Sequence, residues 1–153
     1  MPRCYVLVGV PGAGKSTWIK RQIELLGIPV VSTDNFVEEY AQKVGKTYSE
    51  VFDEYMPTAV RLMAEQVVLC RKNNLDIIWD QTSTTVGSRR KKFNMLPNYE
   101  HIAVVFETPP SEVLAERLAS RPGKNIPANV MARMIRDFEW PTLAEGYVEI
   151  RKI

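Results

Sequence analysis

Histidine is almost missing from this chain: His101 is the only one among 153 residues. A histidine-built metal site or a histidine general base is therefore not expected. The cysteines number two, Cys4 and Cys70, with no metal-ligand spacing between them. They read as free thiols of a reducing compartment. No apolar run approaches the roughly 20 residues that span a bilayer. The start, Met1-Pro2-Arg3-Cys4, lacks the charged and apolar regions of a secretory signal. These absences lead us to expect a cytoplasmic protein without a membrane partner. Repeats, low-complexity tracts and linkers are also missing, so residues 1–153 are expected to form a single domain around one core. A net charge of +2 is too small to announce nucleic-acid binding by itself.

What the chain does have is Gly9-Val10-Pro11-Gly12-Ala13-Gly14-Lys15-Ser16-Thr17. This satisfies G-x-x-x-x-G-K-[ST], a loop whose bared backbone N–H groups cradle phosphates. The apolar Cys4–Val8 precedes it as a short buried strand. Trp18, Ile19, Ile23 and Leu26 follow at helical spacing. A strand-to-helix turn is the context the motif needs, and the helix N-terminus adds about half a positive charge. Lys15 can reach the β- and γ-phosphates of a nucleoside triphosphate, and the Ser16 hydroxyl is placed to ligate Mg²⁺. ATP and Mg²⁺ are the expected cofactors, held by Gly9, Pro11, Gly12, Ala13, Gly14, Lys15, Ser16 and Thr17.

Further along, Gly27 ends the first helix and Ile28–Val31 reads as a second strand. Ser32-Thr33-Asp34-Asn35 offers several caps to a helix carrying Phe36, Val37 and Tyr40, which Gly45 ends. A third helical region starts at a Thr47 or Ser49 cap, carries Val51, Phe52, Tyr55 and Met56 and is interrupted by Pro57. It resumes through Val60, Met63, Val67 and Cys70. Leu75–Trp79 is a third strand ending at Asp80, Gln81–Thr85 a polar loop, and Ser88–Leu96 a helix. Ile102–Phe106 is a fourth strand. Helices follow from Ser111 through Leu118 and from Pro127 with Val130, Met131, Met134, Ile135 and Phe138 inward. Tyr147–Arg151 suits an edge strand. Strands alternating with helices predict an α/β three-layer sandwich: a parallel sheet of four to five strands with helices on both faces.

In such sheets ligands bind beyond the carboxyl ends of the strands, which singles out Asp34 and Asp80. Asp34 is placed to deprotonate an acceptor hydroxyl; its bland role is a helix N-cap worth about 1 kcal/mol. Asp80 ends an apolar strand as a Walker-B-type carboxylate does. It could hold Mg²⁺ through water, or merely serve a turn. Arg117 and Arg121 are expected on one helix face, just before a Pro122-Gly123 hinge. That suits a small lid of arginines over the phosphates, the alternative for Arg117 being pairing with Glu112 or Glu116. Arg89-Arg90-Lys91-Lys92 is expected to be a solvated basic face, near enough to the catalytic edge for an acceptor's phosphate backbone to pass.

With these residues in hand, the chain resembles the kinase domain of polynucleotide 5′-kinases, the phage and animal end-healing enzymes. The likeness lies in the Pro-Gly within the loop and Trp18 after it, in Asp34, and in Asp80-Gln81-Thr82-Ser83. It continues in Arg117-Leu118-Ala119-Ser120-Arg121 and in Phe138-Glu139-Trp140-Pro141-Thr142-Leu143-Ala144-Glu145-Gly146-Tyr147. The resemblance implies an ATP-dependent kinase acting on the 5′-hydroxyl of DNA or RNA. Lys15 and Ser16 would serve the phosphates and Mg²⁺, and Asp34 would be the base. Asp80 would organise metal and donor, with Arg117 and Arg121 clamping the donor phosphates. Thr33 and Val37 stand where phage members carry arginines that hold the acceptor strand, and Ser83 where Asn is frequent. No paired-aspartate phosphatase motif is seen, so only the kinase half is expected. These departures keep open a P-loop kinase of a small-molecule hydroxyl (nucleoside, sugar or antibiotic) and, behind it, a non-catalytic ATP-binding module.

Overall fold

A computed structural model describes residues 1–153. The apolar runs become five strands: β1 (Arg3–Val8), β2 (Val30–Val31), β3 (Ile77–Trp79), β4 (Glu100–Val105) and β5 (Glu149–Lys152). They pair in the order β2-β3-β1-β4-β5, with every pairing parallel. Central β1 is matched on both sides, Val6 standing opposite Trp79 of β3 and Ala103 of β4. Successive side chains point to opposite faces of a strand. Cys4, Val6, Val8, Ile77, Trp79, Ala103 and Val105 therefore enter one core layer, while Tyr5, Leu7, Ile78, Ile102 and Val104 enter the other.

The first layer is closed by Met63, Val67 and Cys70 of α3 (Tyr48–Lys72), and the second by Ile19 of α1 (Lys15–Leu26). Full burial of each such side chain contributes about 1.5–3 kcal/mol. Around the sheet lie also α2 (Thr33–Val44), α4 (Val86–Met95), α5 (Ser111–Ala119) and α6 (Ala128–Arg136). Val10, Leu114 and Met131 form a satellite core that packs α5 and α6 beside the phosphate loop. No helix is long and apolar enough to cross a membrane. Both cysteines are free and buried.

Three expectations give way. Pro57 does not interrupt the third helix: α3 runs unbroken for 25 residues. An interior proline costs a helix about 3 kcal/mol, but Val51 and Ala59 are anchored to Val37 and Ala41 on either side of it. Apolar burial along the whole face outweighs the lost hydrogen bond. Next, the apolar spacing of two helices overstates their buried faces: Ile23 and Leu26 of α1 are 48% and 61% exposed, and Ile135 of α6, expected inward, is 42% exposed. Finally, Arg89-Arg90-Lys91-Lys92 is no uniformly solvated face. Arg89 and Lys92 are buried and only Arg90 and Lys91 reach solvent, because consecutive helical residues fan around the axis, turning Arg89 to Glu145 and Ser83 and Lys92 to Trp79 of β3.

Candidate functional site

The phosphate loop connects β1 to α1 in a conformation only glycine adopts easily. Gly12 has φ +84° and Gly14, the N-cap of α1, has φ +104°. A Cβ built on Gly14 would meet nothing within 4 Å, so the space over the loop is open. A Cβ on Gly12 would sit 2.9 Å from Leu114 Cδ1 of α5, which braces the loop from below. Ala13 N donates to Val10 O at 3.2 Å, and Gly9 N to Thr82 O at 2.9 Å, tying the loop to the chain that follows Asp80. Pro11 and Ala13 are half-buried, whereas Ser16 and Thr17 are exposed on the first turn of α1.

Lys15 donates to Gly9 O at 2.5 Å. Burial pushes its ammonium down to about 8, against the pull of Asp80 and Asp34 and with a further push from Arg121. A desolvated cation with spare N–H groups is primed for anionic oxygens. Asp80, immediately after β3, is fixed through its own N–H to Val31 O at 2.8 Å. Burial raises its carboxyl above the usual range; Lys15 opposes that rise, while Asp34 reinforces it. So Lys15, Asp80 and Asp34 lie close enough to sense one another's charge, as the strand-end rule anticipated.

Asp34 is not the helix cap. Ser32 caps α2, its hydroxyl accepting from Asp34 N at 3.1 Å. The Asp34 carboxylate is left for other work, and its Oδ1 accepts the Tyr48 hydroxyl at 2.5 Å. Beside this pair opens a cleft of about 590 Å³ between α2, the start of α3 and residues 120–124. Glu38, Gln42, Thr47, Tyr48, Arg121 and Lys124 are among its lining residues. The segment after α5 is fastened over it: Ser49 N donates to Gly123 O at 3.0 Å, and Asn125 N to Ser49 Oγ at 2.8 Å. Lys124 pairs with Glu38 and stands 4.5 Å from the Tyr48 ring centroid.

The two lid arginines part company. α5 ends at Ala119, where the Ser120 hydroxyl donates to Arg117 O at 2.8 Å and occupies one of the last carbonyls. Arg121 thus lies beyond the helix, not on a shared face. Arg117 donates to Gly12 O at 3.0 Å, while Arg121 lines the cleft. The basic run offers no continuous track toward either. Arg89 is bound to Glu145 and to Ser83 O, and Lys92 lies 5.3 Å from the Trp79 ring centroid. The stretch Phe138–Tyr147 clamps α4: Glu139 N donates to Thr84 O at 2.8 Å, its carboxylate accepts from Val86 N at 3.1 Å, and Glu145 holds Arg89. Tyr40 stacks on Tyr55, ring centroids 4.0 Å apart.

Sequence reasoning did not single out Tyr48, Glu38 or Lys124. Only Glu38 carried a signal, one helical turn beyond Asp34 and so on its face.

The residues present fit a magnesium–triphosphate. Open space lies over positive-φ glycines at a helix N-terminus, beside a half-buried ammonium. Asp80 is a half-buried carboxylate raised by burial, with Asp34 adding to the rise, which a divalent cation would relieve. No cluster of three or more His, Cys, Asp or Glu could cage a metal. Mg²⁺ keeps waters and takes one or two protein ligands plus phosphate oxygens; Ser16 and Asp80 are the candidates.

A family model described as AAA domain matches residues 5–141. The shikimate kinase of Rhodococcus jostii is 44% identical over 63 residues, 41% of this chain and 36% of that one. The adenylate kinase of Thermotoga petrophila is 33% identical over 129 residues, 76% of this chain and 57% of that one. The chain thus spans about a third to somewhat over half the length of these relatives. Among solved structures, a Chloroflexus aurantiacus protein provisionally assigned as a kinase superposes with a TM-score of 0.72 at 18% identity, over 99% of this chain and 84% of that one. A chain of the Pnkp1/Rnl/Hen1 RNA repair complex gives a TM-score of 0.69 at 23% identity, over 89% and 43%. Family match and sheet topology agree: the chain belongs to the AAA-domain family and has the P-loop kinase fold.

Proposed function

We propose that this protein is an ATP-dependent kinase that phosphorylates a hydroxyl of a small molecule held in the cleft between α2, α3 and residues 120–124. The observation that carries this reading is Asp34: its carboxylate, released from capping by Ser32, accepts the hydroxyl of Tyr48, which lines a polar cleft. Bound ATP would supply the γ-phosphoryl group, the acceptor-oxygen–phosphorus bond forming as the bond to the β–γ bridging oxygen breaks and its electron pair leaves with ADP. Asp34 takes the acceptor's proton. Lys15, the loop N–H groups and Arg117 hold the donor's phosphate charge, Ser16 and Asp80 serve Mg²⁺, and Arg121 meets the transferring group from the cleft side. The expected loss on removing the base is about 10²–10⁴-fold in rate.

A small acceptor is favoured over a strand. Thr33 and Val37 are buried, and Arg89 and Lys92 are committed to internal partners; the cleft's own cations are Lys46, Arg121 and Lys124, the last paired with Glu38. Relatives named shikimate kinase and adenylate kinase point the same way. The second reading, transfer to a 5′-hydroxyl of DNA or RNA, is supported by Asp80-Gln81-Thr82-Ser83 and by likeness to the RNA repair complex. Salt dependence of the KM for the acceptor separates the two. A strand held through several phosphates weakens steeply between 50 and 200 mM salt, in the range of about 10³–10⁵-fold for 6–10 contacts, whereas a neutral acceptor barely changes.

A further inference from the structure

Tyr48 is the first residue of α3, half-buried, and it meets three parts of the cleft at once. Its hydroxyl donates to Asp34 Oδ1 on α2 at 2.5 Å. Its ring receives the Lys124 ammonium at 4.5 Å from the segment after α5, and Lys124 is itself paired with Glu38 on α2. Its other side leans on Phe52, centroid to centroid 5.5 Å, within its own helix. A continuous path, Asp34–Tyr48–Lys124–Glu38, therefore joins the base to the segment that covers it.

We propose that Tyr48 is a positioning residue that aligns the Asp34 carboxylate and makes that alignment depend on docking of residues 120–125. The proposal rests on the kinase function inferred above. A carboxylate one methylene from its backbone turns readily about its last torsion; a donor on Oδ1 fixes the plane and leaves Oδ2 free for an acceptor hydroxyl. Tyr48 can only donate in this role. Burial, followed by its bond to Asp34, holds the phenol far above its ordinary range, so it does not compete as a base. A cation over the ring face is attracted by the ring's quadrupole, which draws Lys124, and the segment that carries it, onto the same side chain. When the segment lifts, Tyr48 loses the contact that sets its ring, and Asp34 loses its guide.

The test uses steady-state ATP turnover with water as the acceptor probe, so the natural acceptor need not be known. Tyr48→Phe keeps the ring and removes the donor. It is expected to lower kcat about 10–100-fold with the KM for ATP and the melting temperature unchanged. Because the donor acts only through Asp34, Tyr48→Phe should cost nothing further in an Asp34→Asn background. Lys124→Met, which leaves both Tyr48 and Asp34 in place, should lower kcat by several-fold through the same path. Wild-type kcat in Tyr48→Phe overturns the proposal, as does an equal loss with and without Asp34 or a kcat loss that merely tracks a lower melting temperature. If Tyr48→Phe does not fold, Lys124→Met alone decides, and wild-type kcat there overturns the coupling. A wild-type protein that transfers phosphate to none of the offered acceptors, or an Asp34→Asn variant with full turnover, would instead overturn the kinase reading itself.

Discussion

The Arg89 guanidinium, wholly excluded from solvent, donates to both carboxylate oxygens of Glu145 at 2.8 and 3.2 Å. This pair welds the C-terminal stretch onto α4. Removing one partner leaves the other charge buried and unpaired, which costs about 3–5 kcal/mol. Arg89→Ala or Glu145→Gln should lower the melting temperature by roughly 10 °C, read by thermal denaturation. Burial alone would raise the Glu145 carboxyl, yet Arg89 and the Thr142 N–H hold it below its ordinary 4.5. Its folded-state value lies below the unfolded one, so its contribution is whole above about pH 4.5 and is lost as pH falls through the folded value. Glu145→Gln should flatten that acid limb.

Gly12 carries two demands at once: φ +84° and a Leu114 methyl 2.9 Å from where a Cβ would go. Gly12→Ala should weaken binding of a non-hydrolysable ATP analogue by about tenfold or more, given a backbone strain of about 1–3 kcal/mol. Trimming the methyl in Gly12→Ala/Leu114→Ala should not restore it, since the strained torsion remains. Isothermal titration calorimetry reads both variants.

Lys15 should make nucleotide affinity depend on pH. Burial lowers its ammonium to about 8 in the free protein, and phosphate contact favours the charged form. Binding therefore takes up a proton above that pH, and affinity falls as pH rises. The expected loss is about tenfold between pH 7 and pH 9, with proton uptake visible as a buffer-dependent enthalpy. Lys15→Met should bind more weakly and show no such slope. Lys92, also lowered to about 8 by burial, lies outside the site, so Lys92→Met should keep the slope.

Gly123 allows the covering segment to lie down. It has φ +72°, and a Cβ there would come 2.9 Å from Thr47 Cβ, on the N-cap of α3. Gly123→Ala should lift residues 120–125 and speed trypsin cleavage after Lys124, while the melting temperature moves little. Unchanged cleavage would mean that the Ser49 contacts alone hold the segment.

Local pattern made much of this molecule readable. The strand, loop and helix around Gly9–Thr17 follow from adjacent residues, and strand ends located Asp34 and Asp80. Long-range pairing was not readable. Nothing in the spacing of Tyr48 or Lys124 says that they meet over Asp34, because their partners come from other elements. Proline chemistry suggested a break at Pro57, where burial on both flanks prevails. Charge suggested a solvated run at Arg89–Lys92, where Glu145, 56 residues away, claims Arg89. Helical spacing put Arg121 beside Arg117, and a serine hydroxyl at the helix end separated them.

The most direct measurement offers γ-labelled ATP and Mg²⁺ to the wild-type protein and to Asp34→Asn, with sugars, sugar acids, nucleosides and 5′-hydroxyl DNA and RNA as acceptors. Label on a small-molecule hydroxyl with the wild-type protein, reduced about 10²–10⁴-fold in Asp34→Asn while ATP still binds, is the predicted result. Label on the oligonucleotides alone, label on nothing, or full transfer by Asp34→Asn would contradict it.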